Sequence, residues 1–205
     1  MRYRFLSVCL LAVVGSGVAL GQSVKDQSKP AETSLRKQVK AAKFKQSLMT
    51  HRKYTGKTLG VKTGWLLKAR GEATIKKIDK IDVELFRIDY PKIKLPNGKV
   101  RPAYSDFSGN ITLEVQWTAK SRGERWQVLG AAKTLVDVLW GEAKASGKAT
   151  VKVEVTKSGT KIDIKSTVKA EPNSDSRASV FAKERLIEPK LKQLVESWLK
   201  GYGVR

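Results

Sequence analysis

The stretch GKATVKVEVTKSGTKIDIKSTVK, residues 147–169, decides the fold. Val151, Val153 and Val155 alternate with Lys152 and Glu154; beyond Ser158-Gly159, Ile162, Ile164 and Val168 alternate with Asp163, Lys165 and Thr167. A period of two puts the aliphatic residues on one face and the charges on the other, which is a half-buried strand pattern met twice across a turn. A two-residue turn at Ser158-Gly159 predicts Val155 opposite Ile162 and Val153 opposite Ile164. The apolar face must be covered, and the periodic run Val180, Ile187, Leu191, Leu194 and Trp198 predicts a helix able to cover it. Pro189 interrupts that run, so the helix is expected to kink there or to restart with Pro189 at its first position. Ser174 or Asp175 is the expected N-cap and Gly201 the expected stop.

Upstream, the same alternation recurs. Trp65, Leu67 and Ala69 form one face of a strand that begins near Val61, with Gly71 marking a bulge or bend. Ile81, Val83 and Leu85 form the next clear strand, and the change of phase to Phe86, Ile88 and Tyr90 predicts a bulge or a second buried face. Pro96-Asn97-Gly98 is a turn, and Ile111, Leu113, Val115 and Trp117 line another strand, followed by a turn at Ser121-Arg122-Gly123. Residues 126–140 fit strand or helix, and Val136 and Val138 favour strand; residues 141–148 read as a loop. The expected fold class is α+β: an antiparallel, curved sheet of about six strands, a C-terminal helix on one face, and a basic N-terminal helix.

That N-terminal helix is expected over 32–49, with Leu35, Val39, Ala42 and Met49 on one stripe and Arg36, Lys37, Lys40 and Lys43 beside it. Residues 1–21 read as a signal peptide: Arg2 and Arg4, an apolar stretch from Phe5 to Val14, then small residues, with cleavage after Gly21 or Ala19. The domain organisation that follows is a leader (1–21), a flexible linker with the basic helix (22–56), and one α+β domain (57–205). Localisation is accordingly expected to be periplasmic or secreted.

Loss of the leader removes Cys9, the single cysteine, and leaves a net charge of +20 from a full-chain value of +22. Residues 22–80 carry +12 of it. Such a chain attracts polyanions, and export makes an anionic lipid surface or acidic polymer a better expectation than nucleic acid. Arg36, Lys37, Lys40, Lys43, Arg52 and Lys53 are the expected contacts. A second possibility is an apolar or lipid ligand in a pocket lined by Trp65, Trp126 and Trp140.

Catalytic and metal chemistry find little footing. His51 is the single histidine and sits in His51-Arg52-Lys53, so usual zinc sites and a Ser-His-Asp triad have no ligand set or setting. No cofactor motif is present; Gly56-Lys57-Thr58 lacks the upstream glycine of a P-loop. Paired carboxylates remain as the route to a cell-wall or sugar-polymer hydrolase: Asp82 with Glu84, Glu154 with Asp163, Glu184 with Glu188. The expectation is a non-enzymatic exported binding protein.

Overall fold

The computed structural model describes residues 23–58, 61–129 and 132–202, with the side chains of 51–63 left aside. The expected leader and its cleavage point lie outside the described residues. The chain forms a six-stranded antiparallel sheet with helices on one face, an α+β architecture. Strand β1 (Ser23–Asp26) is followed by α1 (Ser28–Ala41), β2 (Lys43–Thr58) and the long β3 (Val61–Tyr90). A small ribbon, β4 (Ile93–Lys94) with β5 (Val100–Arg101), carries the Asn97-Gly98 turn, where Gly98 has φ +79°. Then come β6 (Tyr104–Leu129), β7 (Ala132–Ser158) and β8 (Lys161–Pro172). The order is β1-β3-β6-β7-β8, with β2 on the same edge of β3 as an arm-forming partner beyond β1.

The founding hairpin is present, with its turn one residue later than expected. Ser158 pairs with Lys161, Val155 with Ile164 and Val151 with Val168, so Gly159-Thr160 is the loop and Gly159 takes φ +59° at its first position. Glycine reaches that conformation without a Cβ penalty. The shift keeps both aliphatic rows on one face and places Glu154 opposite Lys165, where a turn at Ser158-Gly159 would have set Glu154 against Asp163 and Lys152 against Lys165. The Gly159 N–H donates to Asp106 Oδ1 at 2.8 Å, which fixes the turn against β6.

β3 bends through two register shifts, between Ile75 and Lys77 and between Ile78 and Lys80. Each inserts one residue, so Ile75, Ile78 and Ile81, three apart, all stay on the helix side. Of the bulge or second buried face expected after Leu85, no register shift occurs; Phe86, Ile88 and Tyr90 lie on the opposite face, where Phe86 is exposed, Ile88 and Tyr90 are half-buried, and Tyr90 stacks on Tyr104 at 4.3 Å. Gly71 sits in an unshifted register. A Cβ there would come within 2.9 Å of Leu186 Cδ1, so its role is close helix approach.

Residues expected to be outside the sheet belong to it. Ser23–Asp26 pairs with β3, and the helix that was to run to Met49 ends at Ala41, because Ala42 is extended (φ −68°, ψ 126°). From there Phe44 and Leu48 alternate inward as strand residues, while Met49 is 55% exposed. Residues 121–123 and 141–148 are strand, with irregular pairing between β6 and β7 over 121–126 in place of a turn and a loop. Residues 126–129 and 132–140 are strand.

The C-terminal helix starts at α2 (Arg177–Phe181), passes through a π turn (Ala182–Ile187) and continues as α3 (Glu188–Tyr202). Ser176, rather than Ser174 or Asp175, is its N-cap, its hydroxyl accepting from the Ser179 N–H at 3.2 Å. In the π turn the Glu188 N–H donates to the Lys183 carbonyl, five residues back, so the helix reaches Pro189 without a break. The π turn also advances the buried stripe, burying Leu186 and Ile187 together while leaving Val180 40% exposed. Leu191, Val195, Trp198 and Leu199 continue the stripe onto the sheet, and Leu194 is partly buried. Trp198 Nε1 donates to Ser34 Oγ at 3.2 Å, so α1 and α3 lie together in one helical layer. Leu35, Val39, Leu113, Val151 and Leu191, all fully buried, mark the interior between that layer and the sheet. Among the described residues no helix is long and apolar enough to cross a membrane.

Candidate functional site

The helices cover one face; the other carries apolar residues at its ends, such as Leu66 with Trp126 and Tyr90 with Tyr104, and polar residues between them. Over β2, β3, β6 and β7 these positions line up in rows. Lys45 pairs with Glu72, Glu72 with Lys120 and Lys120 with Lys144. On one side of that row are Ser47, Arg70 and Arg122; on the other are Lys43, Thr74, Thr118 and Ser146. Together they line two adjoining hollows of about 700 and 660 Å³ that share Lys45, Glu72, Lys120 and Lys144. Lys76 and Glu142 complete the margins. The result is an open trough roughly 14 Å across, from three inter-strand spacings of about 4.8 Å.

The floor is set by small residues and by the helices behind it. Ala73, Ala119 and Ala145 are buried on the helix side between the cation-bearing positions, and Gly71 admits Leu186 and Phe181 from below. A strand whose alternate residues are Ala or Gly inward and Lys or Arg outward keeps the sheet thin where the helices press on it. The trough side chains themselves face water.

Seven cations line the trough: Lys43, Lys45, Arg70, Lys76, Lys120, Arg122 and Lys144. Arg122 is paired, its Nε standing 2.7 Å from Glu124 Oε1, while Glu124 Oε2 accepts from Trp126 Nε1 at 3.0 Å. Among the described residues the other six make no ion pair with a carboxylate; Glu72 and Glu142 lie among them without closing to contact. Six like charges held together on one concave surface repel one another, and a bound anion would relieve that.

The expected contact residues divide. Lys43 is in the trough. Arg36, Lys37 and Lys40 are on α1, in the helical layer on the opposite side, and Arg36 is tied to Glu32 at 2.8 Å. Arg52 and Lys53 are placed in β2 opposite Trp65 and Gly64, with side chains outside the described set. The cations that sequence reading missed come from four strands far apart in the chain, and their signal was a basic residue at every second strand position: Lys43 and Lys45, Lys68 and Arg70, Lys120 and Arg122.

The three tryptophans do not converge on one cavity. Trp65 is opposite Gln127 and Leu66 is opposite Trp126, so Trp65 and Trp126 project to opposite faces. Trp140 lies over Gly123 on the helix side, donates to Ser121 Oγ at 3.2 Å and meets Phe181 at 5.8 Å. Trp126 instead faces Lys68, 6.0 Å away, on the open side.

The carboxylate pairs are likewise apart from the trough. Asp82, Glu84, Glu154, Asp163 and Glu184 are exposed, and Glu188 accepts the Ala170 N–H at 3.0 Å, fastening the helix to β8. Among the described residues no group of three or more His, Cys, Asp or Glu is gathered as for a metal ion. No protein family, curated protein or solved structure matches the chain.

Proposed function

We propose that this chain is an exported, non-enzymatic binding protein whose trough holds an anionic component of the cell envelope, a lipid headgroup or an acidic polymer. One observation carries the reading: six basic side chains from four strands line one trough and, among the described residues, have no carboxylate in ion-pair contact. The leader-like residues 1–21 supply the compartment. Export also sets the class of polyanion available, since the envelope offers acidic lipids and polymers and little nucleic acid.

Attraction by exposed lysines is screened by salt, because the Debye length falls from about 10 Å at 0.1 M to about 3 Å at 1 M. Co-sedimentation with anionic and neutral vesicles, and with acidic and neutral polysaccharide, at low and high salt is the test. Binding to anionic partners at low salt, lost at high salt, is the expected outcome. Equal binding to neutral and anionic partners, or none to either at low salt, would contradict it.

A further inference from the structure

We propose that the trough takes an acidic polysaccharide, laid in extended form across the strands; this rests on the anion-binding reading above and narrows it. Shape is the first reason. The two hollows join through a shared row, so the site is an open channel across four strands. A planar bilayer would meet its rims and leave the floor unfilled, whereas a single polymer chain reaches the floor.

The chemistry of adjacent rows is the second reason. Lys45, Lys120 and Lys144 lie in one row with Glu72, and the next row, about 6.8 Å along the strands, is Lys43, Thr74, Thr118 and Ser146. Thr74 and Thr118 face each other with hydroxyl oxygens 3.4 Å apart. Charges beside a row of hydroxyls suit a ligand that itself carries charges beside hydroxyls, which is what a sugar-acid chain offers. Polyphosphate can accept from those hydroxyls but has no donor for their lone pairs, so it uses half of what the row offers, whereas a sugar-acid chain both donates and accepts.

The third reason is what the trough lacks. Its one aromatic lining residue, Phe44, is buried on the helix side, so no ring on the open face is placed there to stack a base. Lysine outnumbers arginine among the cations, and lysine acts as a mobile point charge without the bidentate fork that reads a fixed phosphate geometry. The site therefore reads charge density along a hydroxylated chain.

Affinities of the protein for polygalacturonate, neutral dextran, polyphosphate and anionic phosphatidylglycerol vesicles, each across a salt series, test this. Polygalacturonate is expected to bind at low salt and dextran not to bind. Lys120→Gln with Lys144→Gln should weaken polygalacturonate binding and lower its salt slope by about one per cation removed. Thr74→Val with Thr118→Val keeps β-branched residues in the strands and should weaken polygalacturonate several-fold and polyphosphate distinctly less, since only the sugar-acid chain also donates to the hydroxyls. Binding to vesicles or polyphosphate without polygalacturonate would overturn the polysaccharide assignment and leave the anion-binding reading standing. An equal loss for both polymers in the threonine variant would also overturn it. No binding to any anionic probe at low salt would overturn both.

Discussion

Gly71 and Leu186 meet where the helical layer supports the trough floor, and their coupling can be predicted with a sign. Leu186 is fully buried, so Leu186→Ala removes about 2–5 kcal/mol of stability through lost transfer energy and a residual cavity. Gly71→Ala adds a methyl 2.9 Å from Leu186 Cδ1, 3.0 Å from the Lys120 carbonyl oxygen and 3.1 Å from Phe181 Cε1. Overpacking of that kind costs about 1–3 kcal/mol, offset by roughly 0.5–1 kcal/mol for replacing a strand glycine. The net is a loss of about 0–2.5 kcal/mol, centred on about 1 kcal/mol. With Leu186 already shortened, the closest of the three contacts is gone and the new methyl occupies part of the cavity. Gly71→Ala should then be neutral or slightly stabilising, a coupling of about 1 kcal/mol. Equilibrium urea unfolding of wild type, both single variants and the double variant measures it. Additivity within about 0.3 kcal/mol would refute the contact and, with it, the placement of the π turn behind the trough.

Two further outcomes follow from local geometry. Gly159→Ala forces a Cβ into a residue at φ +59° and should cost about 1–2 kcal/mol in the same assay; no loss would mean the hairpin turns elsewhere. Asp89 accepts from Ser105 Oγ at 2.6 Å and from Lys25 Nζ at 3.0 Å, and also from Arg87, and these bonds hold its carboxyl well below the usual carboxylate range. A depressed carboxylate stabilises the fold above the unfolded value, near about 3.9, and that contribution is lost as pH falls through the folded value. The melting-temperature gap between wild type and Asp89→Ala should be constant above about pH 5 and narrow below about pH 4. A gap unchanged to pH 2 would contradict this.

Legibility in the sequence followed the range of the interactions. The hairpin at 147–169 and the stripe of the C-terminal helix were readable because each face is written in neighbouring residues. The one-residue error at Gly159 arose because Ser158-Gly159 and Gly159-Thr160 both give a turn, and the choice rests on φ and cross-strand charges. Residues 43–49 were misread because Leu35, Val39 and Ala42 continue in helical phase to Met49, while the competing period-two signal is only Phe44 and Leu48. The bulges in β3 were latent in the three-residue spacing of Ile75, Ile78 and Ile81, which neither a straight strand nor its alternation satisfies. The trough was hidden for a different reason. Charge was weighed along the chain, where Arg36–Lys43 stands out, but the site is assembled across strands whose residues are up to about a hundred positions apart.

The most direct test compares two triple variants with the same change in net charge. Lys45→Glu, Lys120→Glu and Lys144→Glu alter the trough; Arg36→Glu, Lys37→Glu and Lys40→Glu alter α1 on the other side of the molecule. Binding to polygalacturonate and to anionic vesicles at low salt, with folding verified by circular dichroism, is the measurement. A site in the trough predicts that the first triple loses about tenfold or more in affinity, a change of about 1.4 kcal/mol, for the anionic probe that wild type binds, while the second stays within about twofold. Equal losses in the two triples would show attraction by overall charge alone and would contradict a binding site in the trough.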